Sequence, residues 1–297
     1  METKDETEKV ESIIVPDLKK WVRLSDYNTV AFNSILSKKA FKNAIKKGMI
    51  RIDGNTGFTG DFLKGGETID IYQPKIKKTK PSIDINLEVI IEDDYLAVIN
   101  KPTGIVVSGN KKWTLENALS GNLQKSNRED ALHYPEPIHR LDCPTSGALL
   151  IGKTRQAVMA LNRMFEERKV QKIYHAVSIG AMNPEGLIIS PVDDKSAHSE
   201  YVVLKTIKSP KYDFMNLIEL RPHTGRKHQL RVHMASLGNP ILGDLLYGKE
   251  GLMMKGRGLY LHASSLQFIH PFTSEFCYIH VAMPKKFPQL FPDVKPV

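Results

Sequence analysis

The chain has 297 residues, 41% of them hydrophobic and 25% charged, which is enough apolar material for one large domain and one small one. Its formal net charge of +9 favours a polyanionic partner such as nucleic acid, while two cysteines, Cys143 and Cys277, exclude a disulfide framework or a cysteine zinc site. No apolar run approaches the roughly 20 residues of a membrane helix. With an acidic start unlike a signal peptide, the expectation is a soluble, monomeric cytoplasmic protein with no membrane partner.

Residues 1–12 are charged and aperiodic and read as a flexible tail. A small domain over 13–73 follows. Ser37 is placed to cap a helix over 38–47, with Ala40, Phe41, Ala44 and Ile45 at helical spacing, Gly48 as its stop, and Lys38, Lys39 and Lys42 on the other face. Ile50-Arg51-Ile52 alternates as a strand, and Gly65-Gly66 leads into a second strand ending at Tyr72. The stretch QPKIKKTKPS, with two prolines and four lysines, places a basic linker over 74–84 and opens a large domain over 85–297.

Residues 87–99 form a predicted hairpin that turns at Glu92-Asp93-Asp94, and 109–137 read as loop with a short helix at 115–119. Then comes Ile138-His139-Arg140-Leu141-Asp142-Cys143-Pro144-Thr145-Ser146-Gly147, followed at once by the apolar run Ala148-Leu149-Leu150-Ile151. The run is the pattern of a strand buried on both faces, and the polar half before it is a loop that presents Asp142. An isolated Arg-x-Asp reads as a structural ion pair; a carboxylate flanked by Arg, Thr and Ser on a loop feeding a core strand has the makings of a nucleophile or base. Thr154 caps a predicted helix with Val158, Leu161, Met164 and Phe165 on its core face, and 172–179 alternates as a strand carrying Tyr174. After a strand at 217–220, Thr224-Gly225 opens a predicted helix with Leu230, Met234 and Leu237 on the core side, Gly238 at its end, and Lys227 and Arg231 one turn apart. Cations at a helix start add to the positive end of its dipole, so the pattern calls for a phosphate or carboxylate beside them. Two further strands around His270-Pro271 complete an α+β chain with a mixed, largely antiparallel sheet.

His139-Arg140-Leu141-Asp142 with Thr145-Ser146-Gly147 resembles the catalytic motif of the RluA-type pseudouridine synthases. Four more stretches follow that family's order: Asn100-Lys101-Pro102-Thr103-Gly104, Lys172-Ile173-Tyr174, the basic run from Thr224 to His233, and Gly243-Asp244 with Tyr247-Gly248. Cys143-Pro144 departs from the family's usual charged pair. The unit at 13–73 is similar to an S4 RNA-binding domain, departing from its pattern at Lys38-Lys39. The resemblance implies an enzyme that detaches uracil from ribose at N1 and rejoins it through C5, needing no metal or other cofactor, on ribosomal RNA by preference and transfer RNA as the alternative. It implies Asp142, Tyr174 and Arg231 as catalytic residues. Asp142 would attack the sugar or the base, or take a proton from the sugar; Arg231 would pair with it, and Tyr174 would stack on the base and help the C5 proton leave. The RNA contacts would come from Lys101, His139, Arg140, Lys172, Arg226 and Lys227, with Lys38, Lys39 and Lys42 on the small domain and Arg140 filling the gap left by a flipped base. Two rivals stand beside this reading: a metal-dependent hydrolase built on His139, Asp142, His228 and His233, and an RNA-binding protein without turnover.

Overall fold

The structure, a computed structural model, describes residues 7–27, 32, 34–35, 38–74, 80–252, 256 and 258–293. It divides into two compact units, Met1–Lys80 and Pro81–Val297. Ser37, expected as a helix cap, and linker residues 75–79 lie outside the described residues, as do residues 1–6.

The first unit holds β1 (Thr7–Ile14), β2 (Val22–Arg23), α1 (Lys38–Lys46), β3 (Ile50–Ile52), β4 (Asn55–Thr56), β5 (Phe62–Leu63) and β6 (Thr68–Pro74). A sheet of order β1-β6-β3-β4 and a β2-β5 ribbon enclose Leu24, Phe32, Phe41, Ile45, Ile50, Leu63, Ile69 and Ile71. Phe41 and Ile45 are the buried stripe of α1, and Gly48 stops it at φ 68°, a backbone angle that glycine adopts at no steric cost. The expected tail is corrected over its residues 7–12, because Thr7–Ile14 pairs antiparallel with β6 from Thr7↔Pro74 to Ile14↔Thr68. Its pairing is made by backbone groups, so a charged edge strand with Lys9 set 3.4 Å from Asp70 shows no apolar alternation in sequence.

The second unit runs β7 (Glu88–Glu92), β8 (Leu96–Lys101), α2 (Leu119–Asn122), β9 (Ala131–Pro137), β10 (Ser146–Thr154), α3 (Arg155–Glu166), β11 (Gln171–Ile179), β12 (Glu185–Ile189), β13 (His198–Ser209), β14 (Asp213–Pro222), α4 (Gln229–Ser236), β15 (Leu261–Ile269), β16 (Phe276–His280) and α5 (Lys286–Leu290). Ten strands form one sheet with the path β12-β13-β14-β11-β15-β10-β8-β7, with β9 on β10 and β16 on β15. The described pairs are antiparallel except β10–β15, which makes the sheet mixed and largely antiparallel, an α+β fold. β10 is buried along its whole length, as its apolar run predicts, and Thr154 accepts a 3.1 Å hydrogen bond from the Ala157 N–H to start α3. β9 lies in a stretch read as loop. Its His, Glu and two prolines hide it, since proline is tolerated on a strand that pairs on one side only.

Candidate active site

The loop between β9 and β10 presents Asp142, and it is clamped from several sides. Thr145 N–H returns to the Asp142 carbonyl at 3.0 Å, and Gly104 N–H reaches the Cys143 carbonyl at 2.8 Å. Beneath it lies Lys101, fully buried, whose ammonium donates to the carbonyls of Pro102 (2.8 Å), Thr145 (2.8 Å) and Cys143 (3.3 Å). Burial holds its pKa down at about 8, against the opposing pull of Cys143 and Asp142. Gly147 then fixes the register with β15: at φ 117° a Cβ there would lie 2.2 Å from the Ala263 carbonyl oxygen. No side chain fits that approach, so the strand carrying the loop sits directly on the parallel partner.

The two oxygens of the Asp142 carboxylate face different partners. Arg231 Nη1 lies 3.4 Å from Oδ2, and His228 Nε2 lies 3.7 Å from Oδ1. Arg231 is bound far more tightly to Asp244, which takes its Nε and Nη2 at 2.7 Å each and also accepts the N–H groups of Leu246 and Tyr247. Burial alone would raise the Asp244 carboxyl, but Arg231 and these two N–H groups outweigh it and leave it below its ordinary value. His228 sits just before α4 at φ 56° and ψ 18°, and its Nδ1 meets the Tyr247 hydroxyl at 2.9 Å. A neutral imidazole that turns its Nε2–H toward a carboxylate has to accept at Nδ1, and the Tyr247 hydroxyl is the donor there. Burial, aided by Arg231 and Lys227, keeps this imidazole below its ordinary pKa despite Asp142. A closed ring of contacts results, from Asp142 through Arg231, Asp244, Tyr247 and His228 back to Asp142.

Asp142, His228 and Arg231 of this ring line a cavity of about 300 Å³ with His139, Arg140, Thr145, Phe165, Lys172, Tyr174 and Arg226. Tyr174 reaches it from β11, next to a register shift between Ile173 and Tyr174 in the pairing with β15. Burial, then the charge of Asp142, pushes the Tyr174 phenol well up, so it stays protonated and offers a ring face and a neutral hydroxyl. An anionic carboxylate, a neutral imidazole, a neutral phenol and a shielded guanidinium around one cavity suit proton transfer or nucleophilic attack on a ring held against the tyrosine.

The sequence profile of the RNA pseudouridylate synthase family matches residues 95–236. "Ribosomal large subunit pseudouridine synthase D" of Xanthomonas campestris pv. campestris is 35% identical over 80% of this chain and 79% of its own. "tRNA pseudouridine synthase C" of Vibrio parahaemolyticus is 33% identical over 70% of this chain and 94% of its own. The chain belongs to the RNA pseudouridine synthase family. Among solved structures, human RNA pseudouridylate synthase domain containing 1 superposes with a TM-score of 0.56 at 26% identity, over 71% of this chain and 89% of that one. The synthase is thus an isomerase that acts on uridine in RNA.

The synthase sorts its predicted RNA contacts by burial. Arg140, Arg226 and Lys227 are exposed at the cavity, and Lys172 is partly so. Lys101 is not an RNA contact, since its ammonium is spent on three carbonyls under the Asp142 loop. His139 also turns away from phosphates: it stacks on Phe165 at 4.9 Å, its Nε2 accepts the Leu150 N–H at 3.1 Å, and burial drops its pKa to about 3. On the first unit Lys38 lies 3.1 Å and Lys42 3.8 Å from Asp26, while Lys39 is exposed. The helix expected from Thr224 begins only at Gln229, whose side chain instead braces the loop by bonding Thr224 and the Arg226 N–H. Lys227 and Arg231 therefore do not share a helix face. The metal-site rival loses its geometry, because His233 bonds Ser199 and the Ser190 carbonyl and only His228 of the three histidines approaches Asp142. Asp244 and Tyr247 are site groups that sequence reading quoted as motif members without a role, and His228 had a role in it only as a ligand of the metal-site rival. The Gly243-Asp244 and Tyr247-Gly248 pairs were the signals present in the sequence.

Proposed function

We propose that Asp142 carries the isomerisation, with Arg231 and Tyr174 as its catalytic partners, and that the substrate is large-subunit ribosomal RNA. The observation that supports the site is the placing of Asp142 between Arg231 and His228 at the wall of the cavity that Tyr174 lines. The target uridine has to leave its stack to reach such a cavity, at a cost of a few kcal/mol. Arg140 at the mouth fills the vacated place, and Lys172, Arg226 and Lys227 meet phosphates. Tyr174 stacks on the flipped base. Because its phenol stays protonated, the proton leaving C5 passes to Asp142, and N1 of the detached uracil gains one in return.

Asp142→Asn tests the assignment. The variant should bind RNA and melt close to the parent, because Arg231 keeps its bidentate partner Asp244, yet its turnover should fall below detection. Parental turnover by the folded variant would remove Asp142 from the chemistry. The preference for ribosomal RNA is supported by the name of the Xanthomonas relative and by the small N-terminal unit, read as an S4-like RNA-binding domain suited to a large structured substrate. The Vibrio relative, named for transfer RNA, supports the second reading. Mapping pseudouridines in RNA from cells lacking the protein decides between them: sites lost from transfer RNA alone would overturn the preference.

A further inference from the structure

The β2–β5 ribbon of the first unit carries a surface that the helix α1 reading does not account for. In its register Val22 faces Leu63 and Arg23 faces Phe62, and the next step brings Trp21 level with Lys64. Side chains alternate between faces of a strand, so Val22 and Leu63 turn inward and Trp21, Arg23, Phe62 and Lys64 share the outer face. Leu63 is fully buried, whereas Trp21 is 64% and Phe62 48% exposed. The outer face is a two-by-two array in which each ring meets a cation. Lys64 Nζ lies 4.6 Å from the Trp21 ring, and the Arg23 guanidinium lies 5.5 Å from that of Phe62. The two rings are tilted at 6.5 Å, too open to cover one another. Two more exposed cations, Lys19 and Lys20, precede Trp21. Among nearby carboxylates, Glu67 takes the N–H groups of Lys64 and Gly65, Asp61 takes that of Phe58, and Asp26 lies against Lys38 and Lys42, while Asp17 beside Gly65 is exposed.

Exposed aromatic rings alternating with cations match one ligand chemistry well. Rings offer stacking faces to unpaired bases, and the cations between them meet the phosphates that join those bases. An acidic protein surface would use the charges but would leave the rings in water.

We propose that the outer face of the β2–β5 ribbon binds an unpaired stretch of the RNA substrate, with bases on Trp21 and Phe62 and phosphates on Arg23, Lys64 and the Lys19-Lys20 pair. This rests on the enzyme's RNA substrate and is independent of the roles given to Asp142, Arg231 and Tyr174.

The chain has two tryptophans, so the full-length Trp113→Phe protein reports on Trp21 alone. Titration with an unstructured oligouridylate of roughly ten nucleotides should quench Trp21 fluorescence to saturation, and Phe62→Ala or Trp21→Ala should each weaken binding of that oligonucleotide by about 5- to 100-fold. Polyglutamate of equal charge should leave the fluorescence unchanged. Isomerisation by either variant should keep the parental kcat at saturating RNA while KM rises, which separates this site from the catalytic one. If Phe62→Ala melts early, Trp21→Ala carries the affinity test, since its side chain is two-thirds exposed. Absence of quenching, or parental oligonucleotide affinity in folded Trp21→Ala, would overturn the proposal and leave the face to a protein partner. Equal quenching by polyglutamate would also overturn it, reducing the patch to a polyanion site.

Discussion

Asp244→Asn isolates the pair on which the site is built. Asp244 and Arg231 are almost wholly buried and joined by two 2.7 Å hydrogen bonds. In the asparagine variant the side-chain oxygen can keep the Leu246 and Tyr247 N–H groups, but its amide N–H₂ then points at the Arg231 Nε–H, donor against donor. Arg231 is left with Asp142, 3.4 Å away, as its counterion. Breaking a buried pair from one side costs about 3–5 kcal/mol, and a unit of this size loses about 2–4 °C per kcal/mol, so the melting temperature should fall by roughly 6–20 °C. Turnover measured where the variant is still folded should drop by at least about tenfold, because Arg231 swings toward Asp142 and both the carboxylate and the His228–Tyr247 link lose their alignment. The pH dependence follows from the lowered Asp244 pKa. Its stabilisation is present above the ordinary carboxyl range and is lost as pH falls through the folded-state value, so parent and variant should converge in acid. Thermal melts across pH, with single-turnover rates on a uridine RNA, make the measurement. A variant that melts within about 1 kcal/mol of the parent and turns over at the parental rate would refute the view that Asp244 holds Arg231 for the reaction.

Lys101→Met should lower kcat with little change in RNA affinity, because three carbonyls under the Asp142 loop lose their donor while no RNA contact is removed; a selective loss of affinity would return Lys101 to the RNA interface. His139, held neutral down to about pH 3, should cost stability as pH drops below 6.5, by up to about 1.4 kcal/mol per pH unit while only the unfolded chain takes up the proton. Urea melts of His139→Gln should show a shallower acid loss than the parent, and parallel curves would count against this. Removing residues 1–80 should leave a folded catalytic unit whose RNA affinity falls less steeply with salt than that of the full chain, and equal slopes would take the first unit out of RNA binding.

Much of the fold was readable because its signals are local. The run Ala148-Leu149-Leu150-Ile151, bounded by glycines, has the pattern of a strand buried on both faces, and the Thr154 cap, the 87–99 hairpin and the terminal strand pair each carry their own pattern of turn and apolar residues. What escaped reading depends on partners remote in sequence. β1 and β9 are held by backbone pairing along polar side chains, so neither shows the alternation that reveals a half-buried strand. The late start of α4 has a similar cause. Residues 224–228 have helical spacing, but Gln229 finds Thr224, Arg226 N–H, Ser199 and the His198 carbonyl, contacts that hold the loop out of the helix and that only β13 and β14 make possible.

The basic residues carry the sharper lesson. Cations gathered at the start of α4 demanded an anion, and the physics was sound, but the chain supplies that anion itself in Asp244 and Asp142. Lys101 repeats the pattern with carbonyls, and Lys153 with Glu92 at 2.7 Å. A buried cation is always answered by the protein, since leaving it unpaired would cost more than the fold can offset. Of the predicted contacts at the cavity, burial has spared Arg140, Arg226 and Lys227, and Lys172 in part. Net charge and motif membership cannot make that division, because both count Lys101 and Arg226 alike. Burial does, and it predicts which substitutions change the salt dependence of RNA binding and which change only the chemistry.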